Sequence, residues 1–421
     1  MLNTVNRVSI TTDMWTSVQN IHYMVVTCHF VDSDFDIHKC ILSFVDVPPP
    51  YSGVHMYDCL FKCLKDWNIE MKVATLTVDN AKTNDMVARK LMDNLNLQKN
   101  FLLMENGLSE IQDIIHNVRE SVKHVGASPG RLHLFSELTK QLQLKKKHLI
   151  LDVSTRWNAT YAMLSTALEF KEVFENYAGR ESTYTKLPSG DDWKKCKDVC
   201  SFLSLFDEAT KIISGSEYPT SNLFLIELYV IKNALDTVAL EENDCMRSMA
   251  CKMKEKFDKY WGSTNLLISL GAVMDPRYKM ELIKLSFNTI YSLEEAKEEV
   301  QVVNDILEDL FNERHIRNRM LFELVVQLLG VEARSELSEL ATYLEEGVYI
   351  CETGASFDVL GWWKENRLKY RILSKMAADI LSIPITTVAS ESAFNAGGRV
   401  VEPHRSCLGT EMVDMLVCGA D

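Results

Sequence analysis

Positive charge is scarce in this sequence: 45 Lys and Arg stand against 59 Asp and Glu, a formal net charge of −14. A surface built throughout to grip nucleic acid is basic, so any nucleic-acid contact must be local or carried by another chain. No basic cluster of the nuclear-import kind stands out, and Lys145-Lys146-Lys147 reads as the solvated end of a helix. No apolar run reaches the ~18 residues of a membrane span. Polar sequence follows Met1-Leu2-Asn3, so no signal peptide is expected. Low-complexity segments and internal repeats are also lacking. The 11 cysteines are odd in number and scattered. Cys59/Cys63 and Cys196/Cys200 are spaced as on a helix, with no His or Cys at zinc-finger distance. They read as reduced thiols, which places the chain in a reducing compartment, cytosol or nucleus.

What is present describes a folded chain. With 47% hydrophobic and 25% charged residues it is globular, and 421 residues are too many for one simple core. Val5 to Thr12 alternates and reads as a strand ending at Asp13, followed by a turn over 13–17. Tyr23–Val31 and His38–Val47 read as two further strands, and the three make an antiparallel meander. His55–Trp67 has helical periodicity, and Val73–Val78 is a fourth strand ending at Asp79-Asn80. Helices are expected over Asn84–Leu97, Gly107–Val125, Arg131–Leu144 and Trp157–Phe170, with a strand or extended entry at His148–Val153. From about residue 190 to 330 almost everything reads helical.

The stretch from Ser382 to Arg405 stands apart. Pro384 and Thr386/Thr387 look like a helix entrance, Val388–Asn395 like one or two turns, and Gly397-Gly398 like their end. Glu391 is the only acidic residue between Asp379 and Glu402. Taken locally it is either a structural charge or a site.

Order sharpens the choice. Strand, strand, strand, helix, strand, helix is the order of a ribonuclease-H-like sheet, in which the first and fourth strands lie side by side. Asp13 and Asp79 would then sit close together, a costly pair unless a cation lies between them. A third carboxylate would allow two Mg²⁺ ions ~3.5–4 Å apart, the clamp used for in-line phosphodiester chemistry. Donors that are all oxygen favour magnesium. The bland alternatives are a turn cap at Asp13 and an Asx turn at Asp79-Asn80.

Five phrases, in order, carry a resemblance. They are Ile10-Thr11-Thr12-Asp13-Met14-Trp15-Thr16-Ser17, Thr77-Val78-Asp79-Asn80-Ala81, the run from Leu151 to Tyr161 (LDVSTRWNATY), Asp275-Pro276-Arg277-Tyr278-Lys279-Met280, and Ala389-Ser390-Glu391-Ser392-Ala393-Phe394. Together they resemble the hAT superfamily of transposases, most closely the plant BED-finger, ricesleeper-like branch, from about residue 5 to the C-terminus.

The resemblance implies an α/β plus all-α protein, a ribonuclease-H-like mixed sheet interrupted by a large helical insertion. Its parts would be 5–165 for the first portion of the sheet domain, 166–334 for the insertion, and 335–421 for a C-terminal dimerisation region that includes the last ribonuclease-H-like helix. The family's acidic triad falls on Asp13, Asp79 and Glu391, which would hold Mg²⁺ or Mn²⁺ for DNA strand cleavage and transfer. Its Arg-Trp element falls on Arg156 and Trp157, a DNA contact. Trp362, Trp363, Met376, Ile380, Met412 and Leu416 would pair chains, or else fill the chain's own core. The implied partners are DNA and a second copy, the implied compartment the nucleus.

Three departures accompany the resemblance. The family opens on a BED zinc finger, and this chain is expected to lack it because it begins at the first catalytic strand. Leu97–Met104 runs directly into Glu105-Asn106-Gly107, where the family has a fifth strand with an Arg-Cys-x-x-His element. The tail ends on the polar Cys418-Gly419-Ala420-Asp421. The expectation is therefore a truncated or domesticated hAT transposase-like protein. A catalytically inactive dimerisation scaffold in nuclear DNA-associated complexes is the alternative.

Overall fold

The computed structural model describes residues 2, 5–17, 19–49, 53–78, 108–145, 147–154, 156–261, 266–329, 338–352, 356–400 and 410–419. Asp79, the helix expected over Asn84–Leu97 and the apolar piece Phe101–Met104 lie outside these residues. The chain divides into two compact units, one of residues 1–100, 211–229 and 264–421, the other of 101–210 and 230–263.

The first unit contains β1 (Val8–Thr16), β2 (His22–Val31), β3 (Ile37–Asp46) and β4 (Val73–Val78), in the order β3-β2-β1-β4. The meander is antiparallel, and β4 returns parallel to β1. Between β3 and β4 lies α1 (Gly53–Asp66). Its Met56, Leu60, Cys63 and Leu64 bury one face of the sheet with Val8, Ile10, Met24, Val26, Cys28, Leu42 and Leu76. Period-2 alternation on three strands and an i, i+4, i+7 stripe on the helix are what make this layer.

β1 does not stop at Asp13. It runs to Thr16, because beyond the last partner on β4 the strand stays paired with β2, Asp13 opposite Val25 and Thr16 opposite His22. The turn then falls at 17–20, with Asn20 at φ 60°.

In the second unit a 3₁₀ turn (Leu108–Ile111) leads into α2 (Gln112–Gly126), α3 (Pro129–Gln141), α4 (Trp157–Glu169), α5 (Lys171–Ala178) and α6 (Gly190–Ile213). Its core is aromatic: Phe135, Phe174, Tyr177, Tyr184 and Trp193. The extended piece at 148–153 forms no strand, and Ile150, Leu151 and Val153 are exposed. A β-branched, apolar pattern does not make a strand without a sheet edge to join.

α7 (Phe224–Val238) and α8 (Asp244–Trp261) follow, then α9 (Leu266–Val273), α10 (Lys279–Ile290), the single 37-residue α11 (Leu293–Leu329), α12 (Glu339–Glu345), α13 (Val359–Asn366), α14 (Leu373–Leu381), α15 (Val388–Val400) and α16 (Thr410–Cys418). The Asp275-Pro276-Arg277-Tyr278-Lys279 loop is a knot in the first unit. Asp275 is fully buried and takes both the Nε and Nη2 of Arg277, at 3.0 and 2.7 Å, and the Nδ2 of Asn222 at 2.7 Å. Lys279 donates to the carbonyls of Tyr343 and Glu346. Trp363 Nε1 and Tyr343 OH donate to the carbonyls of Met274 and Val273.

Gly397 and Gly398 do not end α15, which continues to Val400. A Cβ on Gly397 would lie 2.6 Å from the ring of the buried Phe44, so this glycine is required by the close approach of helix to sheet.

Candidate nucleic-acid processing site

The second face of the sheet is built differently from the first. Trp15, Tyr23, Val25, Ile41 and Phe44 pack against Ala393 and Phe394 of α15 and Val413 and Val417 of α16. Asp414 of α16 accepts a hydrogen bond from the backbone N–H of Phe44, covering a ladder group of the edge strand β3. Beside this apolar part lies a polar one. Thr11 is paired with Thr27 on β2 and with Thr77 on β4, and Ser9 with His29 and Thr75. These side chains point the same way as Trp15, and so does Asp13 between Thr11 and Trp15.

The buried hydroxyls form a chain. Ser390 and Thr11 meet at 2.8 Å, Thr11 bonds Thr27, and Thr27 meets His29 Nε2 at 3.2 Å. Burial, with a smaller push from the Lys39 charge, lowers the His29 pKa to about 4, so the ring is neutral near pH 7. Thr77 donates to the carbonyl of Pro384 at 2.9 Å. Both ends of the segment entering α15 are thus tied to the two parallel strands.

Asp13 is half-buried and accepts the N–H of Met14 at 2.7 Å. Thr12 pairs with Val78, so the last ladder pair of β1 and β4 immediately precedes Asp13 on one strand and, in sequence, Asp79 on the other. Glu391 is exposed on the first turn of α15, next to Ser390, where a carboxylate faces the positive end of the helix dipole. Among the described residues no group of three or more His, Cys, Asp and Glu forms a metal cluster, and Asp79 is not among those residues. Carboxylate oxygens are the donors a hard divalent cation takes, so Asp13 and Glu391 fit Mg²⁺ or Mn²⁺ in donor chemistry.

Arg156 and Trp157 belong to the second unit. Arg156 is the exposed residue before α4 and Trp157 its first residue, half-buried. Asp152 braces the loop ahead of them: it takes Arg119 bidentately, 2.7 Å on each oxygen, and the Thr160 hydroxyl at 2.9 Å. The Arg119 guanidinium, chiefly, holds the Asp152 carboxyl below the usual range.

The residues expected to pair chains separate into two groups. Trp363, Met376 and Ile380 are buried within the chain, and Trp362 packs on Trp363 and Tyr370. Met412 and Leu416, with Met415, are exposed on α16. An apolar stripe at helical spacing looks the same in either setting, which is why the sequence left both open.

Thr11, Thr77, Ser390 and His29 were not singled out from the sequence. The signal was there: Thr11-Thr12-Asp13 and Thr77-Val78-Asp79 repeat a Thr-x-Asp spacing, which in a strand puts Thr and Asp on one face.

The mixed sheet, with β4 parallel to β1 and helices following, is a ribonuclease-H-like arrangement. Family profiles match the chain in four stretches: the ZBED1 RNase-like domain at 11–107, the ZBED1 RNase-like helical domain at 99–202, the hAT-like transposase RNase-H fold at 222–314, and the hAT family C-terminal dimerisation region at 339–421. Two of the four are hAT family models, the RNase-H fold and the C-terminal dimerisation region. The third stretch is helical where described, despite the fold its profile is named for.

Among its relatives, zinc finger BED domain-containing protein RICESLEEPER 2 of Oryza sativa subsp. japonica is 34% identical over 469 positions, covering 99% of this chain and 64% of the relative. DAYSLEEPER of Arabidopsis thaliana is 31% identical over 451 positions, covering 99% and 63%. The chain thus spans just under two thirds of these relatives. The alignments are longer than its 421 residues, so the relatives carry insertions with respect to it. No described helix is long and apolar enough to cross a membrane.

Proposed function

We propose that this chain is a hAT transposase-like protein that binds DNA as a self-associated chain in the nucleus and cleaves and transfers DNA strands at a metal-dependent site. Asp13, Asp79 and Glu391 are its metal ligands. The observation that carries the reading is the pairing of β1 with β4 up to Thr12 and Val78, with the first turn of α15 bonded to Thr11. Mg²⁺ or Mn²⁺ held there would supply the positive charge that stabilises an in-line phosphodiester displacement. Asp13 and Glu391 contribute oxygen donors from a rigid strand and from a helix N-terminus. Arg156 pairs with a backbone phosphate, and Trp157 offers a ring for an unpaired base to stack on. The exposed Met412, Met415 and Leu416 of α16 form the self-association face, which agrees with the dimerisation-region match over 339–421.

The test is nicking of DNA by the full chain in Mg²⁺ or Mn²⁺. Activity is expected in the wild type and lost in Asp13→Asn, Asp79→Asn and Glu391→Gln. No nicking by the wild type with either metal would overturn the catalytic reading.

A second reading is favoured by the insertions that the relatives carry within the aligned region. It is a catalytically inactive dimerisation scaffold in nuclear DNA-associated complexes. It predicts a dimer by light scattering, with DNA left intact in the presence of metal.

A further inference from the structure

The polar part of the second sheet face is expensive to bury: the Ser9 and Thr75 hydroxyls lie buried in it without a partner among the described residues, and two others, Thr11 and Thr77, are spent on one neighbouring segment. Thr11, Thr27 and Ser390 are fully buried. A buried hydroxyl that loses its partner costs free energy, so the bonds that Thr11 and Thr77 do make resist being broken. Thr11 uses Ser390 and Thr27, and Thr77 uses the Pro384 carbonyl. Thr11 and Thr77 are directly paired across β1 and β4. They are also the residues two positions before Asp13 and Asp79. The segment they hold, from Pro384 to Ser390, ends next to Glu391. So β1, which bears Asp13, and β4, which ends one residue before Asp79 in the sequence, each grip the element that bears the glutamate.

An apolar contact would hold α15 against the sheet but leave it free to rotate or slide. A hydroxyl pair at 2.8 Å on Ser390 fixes the rotation of the first turn, and the Pro384 bond fixes where that turn begins. We propose that Thr11, Thr77 and Ser390 are positioning residues that set the rotation and register of α15 so that Glu391 serves the same cation as Asp13. His29 and Thr27 extend the chain and hold the Thr11 hydroxyl in place. The inference rests on the reading of Asp13, Asp79 and Glu391 as metal ligands.

The experiment is Mn²⁺ titration of the full chain, free Mn²⁺ being read by electron paramagnetic resonance, with the spectrum of the bound ion recorded alongside. Ser390→Ala and Thr11→Val are each expected to weaken Mn²⁺ binding about tenfold or more, as removal of a ligand's supporting hydrogen bond does. The double variant should be no worse than Thr11→Val alone, because that variant already removes the bond to Ser390 along with the one to Thr27. Ser390→Thr should restore binding and the wild-type spectrum. Thr77→Val, which keeps the side-chain shape, should also weaken binding.

Asp13→Asn separates the possible failures. If it binds Mn²⁺ as the wild type does, the metal-site reading falls, and the inference with it. If Asp13→Asn loses the ion while Ser390→Ala, Thr11→Val and Thr77→Val bind as the wild type does, the inference is overturned and the site reading stands. Should Ser390→Ala fail to fold, Thr77→Val and Ser390→Thr decide on the same readout.

Discussion

One face of the sheet rests on α1 through Val8, Ile10, Met24, Val26 and Leu76, all buried, with Met56, Leu60 and Leu64 opposite. The other face, made by the alternate residues of the same strands, mixes Trp15, Tyr23 and Phe44 with Thr11, Thr27, His29 and Asp13. Aliphatic burial gives much free energy and little angular precision; it tolerates small shifts of the helix. Hydrogen bonds give less net free energy and a defined geometry. The first face therefore serves stability. The second gives up some stability to hold α15 in one orientation, with the glutamate of the proposed site at its start.

The comparison can be broken at several levels. The largest effect is expected on the first face. Leu60→Ala removes a side chain that is 1% exposed and should destabilise by about 2–5 kcal/mol in urea unfolding, with the Mn²⁺ affinity of the folded fraction unchanged. A loss of affinity without a loss of stability would reverse the roles assigned to the two faces.

Next comes His29. Its folded pKa is lowered to about 4 from 6.5, so its stabilising effect is complete above 6.5 and lost as pH falls towards 4. The limit is ~3 kcal/mol from linkage. Urea unfolding at pH 7 and pH 4.5 should show a smaller drop for His29→Gln than for the wild type. Equal drops would mean that protonation of His29 does not govern the second face.

Gly397→Ala is expected to cost about 1–3 kcal/mol by overpacking, despite alanine's better helix propensity, because its Cβ meets the buried Phe44 ring. A more stable variant would mean that α15 is free to back away from the sheet. The smallest effect on stability, within about 0.5 kcal/mol, is expected for Met415→Glu with Leu416→Glu on the outer side of α16. Light scattering should nevertheless show a shift from dimer to monomer. An unchanged dimer would place the self-association surface elsewhere.

Much of this was legible in the sequence. Apolar and β-branched runs, alternating in the first strand, located the four described strands, and the order of elements implied that β1 and β4 are neighbours. Asp13 reads as a strand end because the β-branched run stops there, and only the register with β2 reveals the extra residues to Thr16. The glycine pair was read as a helix stop because the sequence does not show that Phe44 lies against it. The threonines passed as ordinary strand formers, since a β-branched residue suits a strand whether or not its hydroxyl is used. Trp363, Met376 and Ile380 were as suited to an interface as to the core in which they lie.

The central claim, that Asp13 and Glu391 serve one cation, is tested most directly by a double-mutant cycle on Mn²⁺ affinity. Asp13→Asn, Glu391→Gln and the double variant are titrated against the wild type. The account predicts a loss in each single variant and a double variant that loses less than the two losses combined. Losses that simply add, or an unaffected Glu391→Gln, would contradict it.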